Sequence, residues 1–231
     1  MIPRVLIDVA EVPGGGGELR LIQRGSEFSI MLGANELMNS RLSGSEEALA
    51  AMACERISAT AQPRLLIGGL GMGFTLRSAL NVLGAEARIE VAELVPAVIR
   101  WARGAMAPLF GSSLTDPRVT ILEADVGDPI GSARADYDAI LLDVDNGPDG
   151  LTRSANDRLY DLDGLGRART ALRSGGVLAI WSSGPDQAFS QRLRKAGFVV
   201  DEVTVRANAG RAGARHVIWL AAKPGGRARS E

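Results

Sequence analysis

The chain has 231 residues, of which 46% are hydrophobic, and its formal net charge is −1 at pH 7. This length and apolar content suit one large domain, or one domain with a small appendage, around a sizeable core. The net charge is close to zero, so overall electrostatic attraction gives no reason to expect a nucleic-acid partner. The sequence has one cysteine and one histidine, which almost excludes a disulfide within the chain or a His/Cys metal site.

The N-terminal stretch lacks the basic start and the long apolar core of a secretory signal. No apolar run reaches the roughly 18 residues that a membrane span needs. We therefore expect a cytoplasmic protein with no membrane partner, no nucleic-acid partner and no metal.

Residues 1–42 are predicted to form a small N-terminal β region. Three strand-like segments, RVLIDVAEV, ELRLIQR and FSIML, are separated by turn-like stretches rich in glycine and polar residues. Residues 43–63 are predicted to contain a linking helix, because Ser43 and Glu46 have the spacing of a capping box ahead of an Ala-rich segment.

Residues 64–223 have the rhythm of a mostly parallel α/β domain, and a disordered tail is predicted at 224–231. Seven short apolar runs follow one another: RLLIG, RIEVAE, RVTILEAD, YDAILLDV, GVLAIWSS, FVVDEVTV and RHVIWLAA. Helix-length segments separate the first five runs, except that the gap after RVTILEAD looks like a loop. The last two runs are joined by a short connection, which predicts an antiparallel pair. This layout predicts an α/β, Rossmann-like, seven-stranded fold of the class I S-adenosylmethionine (SAM) methyltransferase type.

Three closely spaced glycines, Gly69, Gly71 and Gly73, lie between the first of these strands and the helix that follows. Glycine lets a backbone turn tightly and approach a ligand, and a helix start offers free N–H groups. A tight strand-to-helix turn without a ligand would also explain them. The functional alternative is a cofactor cradle, because ligands of open parallel sheets lie outside the carboxyl ends of the strands.

Acidic residues at the next two strand ends favour the cofactor cradle. Glu93 follows Gly73 by 20 residues, where an acid can accept hydrogen bonds from both ribose hydroxyls. Asp125, followed by Val126, ends the third strand, where adenine would lie. A nicotinamide dinucleotide fingerprint would need glycine at the position of Phe74, so the pattern favours SAM over NAD.

The chain resembles the spermidine synthase-like aminopropyltransferases over most of its length. The resemblance is carried by LLIGGLGMGFTLR, VAELVPAVIRWAR, DPRVTILEAD and YDAILLDVDNGPDGL, and MLGANELMNSRLSGSEEAL looks like a shortened small β domain and gate. It implies a class I SAM-transferase fold with decarboxylated SAM and a polyamine as substrates. We also expect a homodimer.

The resemblance assigns roles residue by residue. It implies that Glu93 is the ribose acid, that Asp125 is the adenine-side acid, and that Asp143 is the catalytic acid that orients and deprotonates the amine. Asp145 is a loose match to the second acid of the catalytic loop, since the spacing to the following Gly-Pro is one residue short.

Two departures concern the groups that hold cationic substrates. Leu70 stands where the family has an aspartate in the glycine turn. A Leu-Ala-Ala stretch at 49–51 replaces the Tyr-His-Glu of the helix after the gate. The resemblance therefore extends to the fold more securely than to the substrate.

The residues also suggest the chemistry directly. Asp143, Asp145 and Asn146 follow the fourth strand, where a carboxylate can orient a nucleophile and accept its proton. We predict Asp143 and Asp145 as catalytic residues, and Asn146 and Tyr160 as residues that bind the small-molecule acceptor. Turn formation is the alternative role for Asp145 and Asn146, and core packing is the alternative for Tyr160.

Three functions follow, in order of preference. The first is a SAM-dependent methyltransferase acting on a small-molecule amine or hydroxyl, because Leu70 offers no carboxylate to a lone ammonium. The second is a polyamine aminopropyltransferase that uses decarboxylated SAM, and the third is a non-catalytic nucleoside-binding scaffold. Trp181, which ends the fifth strand, and His216 are expected to have structural roles.

Overall fold

The computed structural model of the chain describes residues 2–144, 157–208 and 213–225. The predicted site residues Asp145 and Asn146 lie outside these ranges. So does the predicted disordered tail, apart from Pro224 and Gly225.

An antiparallel sheet of four strands, in the order β1-β2-β3-β4, forms the N-terminal part of the chain. Its strands are Val5–Glu11 (β1), Glu18–Arg24 (β2), Glu27–Leu32 (β3) and Asn35–Asn39 (β4). The first three occur where the apolar segments predict them. The sequence analysis missed β4, which pairs with β3 through an irregular register between Ile30 and Met31.

The linking helix α1 is Gly44–Ile57, within the predicted range, but the predicted capping box does not form at its start. The Ser43 side chain makes no capping hydrogen bond. The first backbone N–H, that of Gly44, instead donates to the carbonyl of Ala207 at 3.0 Å. The helix buries an Ala-rich face against the large sheet, so packing and this long-range bond fix its start.

The large sheet has seven strands in the order β10-β11-β9-β8-β5-β6-β7. The strands are Arg64–Gly68 (β5), Arg88–Glu93 (β6), Val119–Glu123 (β7), Tyr137–Leu142 (β8), Leu172–Ser182 (β9), Val199–Arg206 (β10) and Arg215–Ala222 (β11). Strands β5 to β9 pair in parallel, whereas β11 is antiparallel to both of its neighbours. The predicted Rossmann-like fold of the class I methyltransferase type is confirmed, including its antiparallel final pair.

Seven further helices flank this sheet within the described ranges. They are Phe74–Val82 (α2), Pro96–Arg103 (α3), Ala107–Phe110 (α4), Gly127–Ser132 (α5), Asp157–Tyr160 (α6), Leu162–Ala171 (α7) and Gln187–Lys195 (α8). The prediction of a loop after the third strand was wrong, because α5 occupies that gap and buries Ile130. None of the helices in these ranges has the length and apolar character that a membrane crossing requires.

Apolar side chains cover both faces of the large sheet and form two buried clusters. One cluster joins the sheet to α1, α2, α3 and the N-terminal sheet. The other joins it to α5, α7 and α8. Every residue of the central strand β8 is buried, as expected for a parallel strand covered on both sides. The polar residues that follow the carboxyl ends of these strands are thereby held on a rigid frame.

The turn between β5 and α2 depends on the absence of a side chain at Gly73. This residue has φ +76°, and a Cβ there would lie 2.4 Å from the Phe110 ring. We expect Gly73→Ala to lower the free energy of unfolding by at least about 1–3 kcal/mol, because it overpacks a core contact in a left-handed backbone conformation. Urea unfolding would measure the change.

Gly166→Ala is the matched control for Gly73→Ala. Gly166 lies inside α7, and a Cβ built there meets no atom within 4 Å. This substitution is expected to raise stability by about 0.4–1 kcal/mol through the lower backbone entropy of the unfolded chain. Equal effects of the two alanines would contradict the packing argument for Gly73.

Candidate active site

The glycine turn runs between the strand β5 and the start of α2, and neighbouring segments pack closely on it. Gly69 has φ +91°, and a Cβ there would lie 2.4 Å from the backbone oxygen of Asp143. A Cβ on Gly71 would lie 3.2 Å from Sδ of Met38 in β4. The turn is therefore enclosed by Asp143 and Val144 on one side and by the N-terminal sheet on another.

Glu93, at the end of β6, is a buried carboxylate bonded to the glycine turn. Its Oε2 accepts a hydrogen bond from the Leu70 N–H at 2.9 Å, and its Oε1 accepts one from the Val95 N–H at 2.8 Å. Burial raises the pKa of Glu93, while these backbone hydrogen bonds oppose the rise. The backbone N–H groups of Gly71 and Leu94 also act on this carboxylate, so the glycine turn and the residues after β6 together hold it on the wall of the cavity.

Asp125 lies beyond β7, next to the start of α5. Its Oδ1 accepts a hydrogen bond from the Gly127 N–H at 2.8 Å. The buried Val126 side chain fills the space beside Gly68, where a Cβ would lie 2.9 Å from it. Asp125 and Val126 thus present a polar and an apolar surface at the end of β7, the strand next to the one that Glu93 ends.

Asp143 follows the central strand β8, and its partly buried carboxylate is oriented by the hydroxyl of Thr75. Oγ1 of Thr75, in the first turn of α2, donates to Oδ2 of Asp143 at 2.6 Å. Burial, and then the charge of Glu46, raise the pKa of Asp143 to about 7, while the Thr75 bond opposes the rise. A carboxyl group with this pKa can accept a proton near neutral pH.

One cavity of about 200 Å³ connects these groups. It lies between the glycine turn, the strand ends of the large sheet and the N-terminal sheet. The predicted site residues that line it are Gly69, Gly71, Gly73, Glu93, Asp125, Val126 and Asp143. The structure thus brings the predicted cofactor-binding residues and Asp143 to one place, although their roles stay predictions.

Sequence reasoning missed three polar or aromatic groups at this site. Glu46 and Trp181 line the cavity, and Thr75 orients Asp143. Glu46 had been interpreted as a capping residue. Trp181 is the penultimate residue of β9 and could have been found by the strand-end argument that identified Asp143. Thr75 comes two residues after the third glycine.

Tyr160, predicted to bind the acceptor, lies in α6 and is not among the residues that line this cavity. Its ring packs edge-on against Phe189, with centroids 5.7 Å apart, and its hydroxyl lies 3.5 Å from the Val144 carbonyl. Its acceptor role stays a prediction. Within the described part of the chain, the site included, no three His, Cys, Asp or Glu side chains are arranged to hold a metal ion.

The chain matches no known protein-family model, but it is similar in sequence to individual curated proteins. It is 31% identical to a polyamine aminopropyltransferase of Mycobacterium tuberculosis over 153 residues, which are 62% of this chain and 28% of the relative. It is 33% identical to putrescine N-methyltransferase 2 of Nicotiana attenuata over 115 residues, which are 49% of this chain and 29% of the relative. The matches therefore span less than a third of these relatives.

Solved structures resemble the chain over more of its length. A spermidine synthase from Thermotoga maritima aligns with a TM-score of 0.72 and 16% identity, covering 94% of this chain and 72% of that one. A 1,6-didemethyltoxoflavin-N1-methyltransferase from Burkholderia thailandensis, solved with S-adenosylhomocysteine, aligns with a TM-score of 0.55 and 18% identity over 79% of each chain. At these identities the likeness concerns the fold, while the sequence matches confirm the spermidine synthase-like resemblance.

Proposed function

We propose that this spermidine synthase-like chain is a transferase that takes an alkyl group from a SAM-type nucleoside and gives it to a small amine. The observation that carries the proposal is the single cavity that joins the glycine turn to Glu93, Asp125 and Asp143. Each of these acids alone has a simpler explanation as a structural residue at a strand end. Their convergence around backbone that lacks a Cβ is the arrangement that a nucleoside with a reactive tail requires.

The residues of the cavity fit such a nucleoside. Glu93 is a carboxylate on the cavity wall that can accept hydrogen bonds from ribose hydroxyls, and Asp125 with Val126 offers a polar and an apolar surface for a base. Gly69 and Gly71 leave room for close approach to the backbone. When bound, a SAM-type nucleoside supplies a sulfonium whose neighbouring carbon is already activated toward a nucleophile.

Asp143 is the group of this chain that would handle the proton. An attacking amine must lose one proton as it forms the new bond, and a carboxylate with a pKa of about 7 can accept it. Thr75 holds this carboxylate in one orientation through its 2.6 Å hydrogen bond. The remaining contribution of the site is to align the amine and to exclude water.

Aminopropyl transfer from decarboxylated SAM is the form of the reaction that we favour. The sequence alone placed methyl transfer first, because Leu70 replaces an acid in the glycine turn. The match to the aminopropyltransferase covers more of this chain than the match to the methyltransferase. A further carboxylate, that of Glu46, also lines the cavity, and it can replace the missing acid.

Methyl transfer to an amine is the second candidate. Leu70 lines the cavity with an apolar side chain, and the chain is also similar to a putrescine N-methyltransferase. The acceptor, a homodimeric state and a cytoplasmic location stay predictions.

Ligand titration tests the proposal. A nucleoside present at about 100 times its Kd adds roughly 2.7 kcal/mol to the stability of the folded chain. For a domain of this size that should raise Tm by roughly 5–10 °C. We expect this shift with decarboxylated SAM and with SAM, and none with NAD. A shift with NAD alone would overturn the proposal.

An acceptor screen separates an enzyme from a scaffold. Release of the thioether nucleoside in the presence of small amines is expected from the transferase. Nucleoside binding without turnover across a broad panel of amines and alcohols would favour the non-catalytic scaffold.

A further inference from the structure

A chain of three side chains, with the buried Ser45 at its centre, leads from the cavity to the only histidine of the sequence. Ser45 is fully buried, and its Oγ donates to Oε2 of Glu46 at 2.6 Å. The same Oγ lies 2.9 Å from Nδ1 of His216. Because the single hydroxyl proton goes to the carboxylate, the Ser45 oxygen must accept from Nδ1–H. Burial lowers the pKa of His216, which favours the neutral ring.

His216 supports a second wall of the cavity as well. Its ring packs edge-on against Trp181, with centroids 4.7 Å apart and an interplanar angle of 72°. The strand register explains the contact: Trp181 on β9 is paired with Ile218 on β11, and Ile218 shares a face of β11 with His216. The half-buried His216 therefore fixes both Glu46, through Ser45, and the indole of Trp181.

Two of the acids that line the cavity, Glu46 and Asp143, repel each other electrostatically. Glu46 and Asp143 both line the cavity, and the charge of Glu46 is one cause of the raised pKa of Asp143. No ion pair of the described residues includes either carboxylate. A cation placed near both would relieve this repulsion, and a further anion would increase it.

We propose that Glu46 selects the tail of the donor nucleoside, accepting the lone ammonium of decarboxylated SAM and disfavouring the α-carboxylate of SAM. Ser45 and His216 are positioning residues that hold Glu46 toward the cavity. This inference rests on the proposed nucleoside-dependent function. It explains how the chain can use a cationic tail even though Leu70, in the glycine turn, offers that tail only apolar contact.

Calorimetric titration with three nucleosides tests the inference: decarboxylated SAM, SAM and methylthioadenosine, which has no charged tail. The wild-type chain is expected to bind decarboxylated SAM more tightly than SAM. Glu46→Gln keeps the size of the side chain and removes its charge. It should weaken the binding of decarboxylated SAM about tenfold or more, which is the scale of one hydrogen bond to a charged group. The affinity for methylthioadenosine should stay unchanged.

The positioning residues are tested by rescue. Ser45→Ala removes the hydroxyl and should change the preference between decarboxylated SAM and SAM in the same direction as Glu46→Gln does. Ser45→Thr keeps the hydroxyl and should show the wild-type preference. His216→Phe should act like Ser45→Ala. Glu55→Gln, at an exposed acid near the end of α1, is the control and should behave as the wild type.

The outcomes separate this inference from the function on which it rests. If the wild-type chain binds none of the three nucleosides, the proposed function and the inference both fail. If it binds them but Glu46→Gln leaves the preference between decarboxylated SAM and SAM unchanged, only the inference is overturned. An unchanged preference in folded Ser45→Ala and His216→Phe would remove the positioning role.

Discussion

Asp143→Asn is expected to keep nucleoside binding and to lose turnover by about 10²–10⁴-fold, the usual contribution of a general base. The amide oxygen can still accept the hydrogen bond that Thr75 donates to this side chain, so the local geometry should survive. The amide cannot take up a proton, however. Calorimetric Kd values for the nucleoside and single-turnover rates with an amine acceptor would measure the two effects separately.

The pH dependence of the reaction provides a second measurement on Asp143. Its pKa of about 7 in the nucleoside-free chain means that the carboxylate form grows as the pH rises through neutrality. The value of kcat/KM should therefore rise with pH, with one midpoint near 7. A cationic donor favours the ionised form, so the corresponding midpoint in kcat should lie lower.

Glu86→Gln is the control for both measurements, because Glu86 is an exposed acid in the loop between α2 and β6. It should leave the rate and the pH profile unchanged. An Asp143→Asn variant with full activity and the wild-type pH profile would reduce Asp143 to a structural residue at the strand end.

Long apolar segments made most of the fold predictable. RLLIG, RIEVAE and RHVIWLAA correspond to β5, β6 and β11 residue for residue, because buried strands need apolar side chains on both faces. Elements with weak local preferences were missed. NELMN forms β4 through its pairing with β3. GDPIGS forms α5 although it contains Gly, Pro and Ser, because Ile130 is buried in the core.

The strand-end part of the site was predictable for a geometric reason. The carboxyl ends of parallel strands meet at one edge of a sheet, so Glu93, Asp125 and Asp143 could be placed together from their positions in the sequence. Glu46 and Ser45 could not be placed in this way. They reach the site through tertiary packing of α1, and the Ser45–His216 contact joins residues 171 positions apart. A capping-box pattern at 43–46 gave a plausible local explanation that was wrong.

Glu93→Ala is expected to weaken binding of a SAM-type nucleoside at least tenfold. The substitution removes the acceptor for two ribose hydroxyls, and hydrogen bonds to a charged group contribute about 1.5–3 kcal/mol each. The Leu70 and Val95 N–H groups, which donate to Glu93 at 2.9 and 2.8 Å, also lose their partner. The free energy of unfolding should therefore fall by about 1–3 kcal/mol, which is the cost of leaving a buried donor unsatisfied.

Glu123→Ala is the matched control, because Glu123 is the in-register neighbour of Glu93 on β7 but is exposed and does not line the cavity. Its nucleoside affinity should equal that of the wild type. The affinities are compared by calorimetry at a temperature where circular dichroism shows both variants folded, so that loss of binding is not loss of fold. If folded Glu93→Ala binds the nucleoside as tightly as Glu123→Ala does, Glu93 only braces the glycine turn and the ribose acid lies elsewhere in the chain.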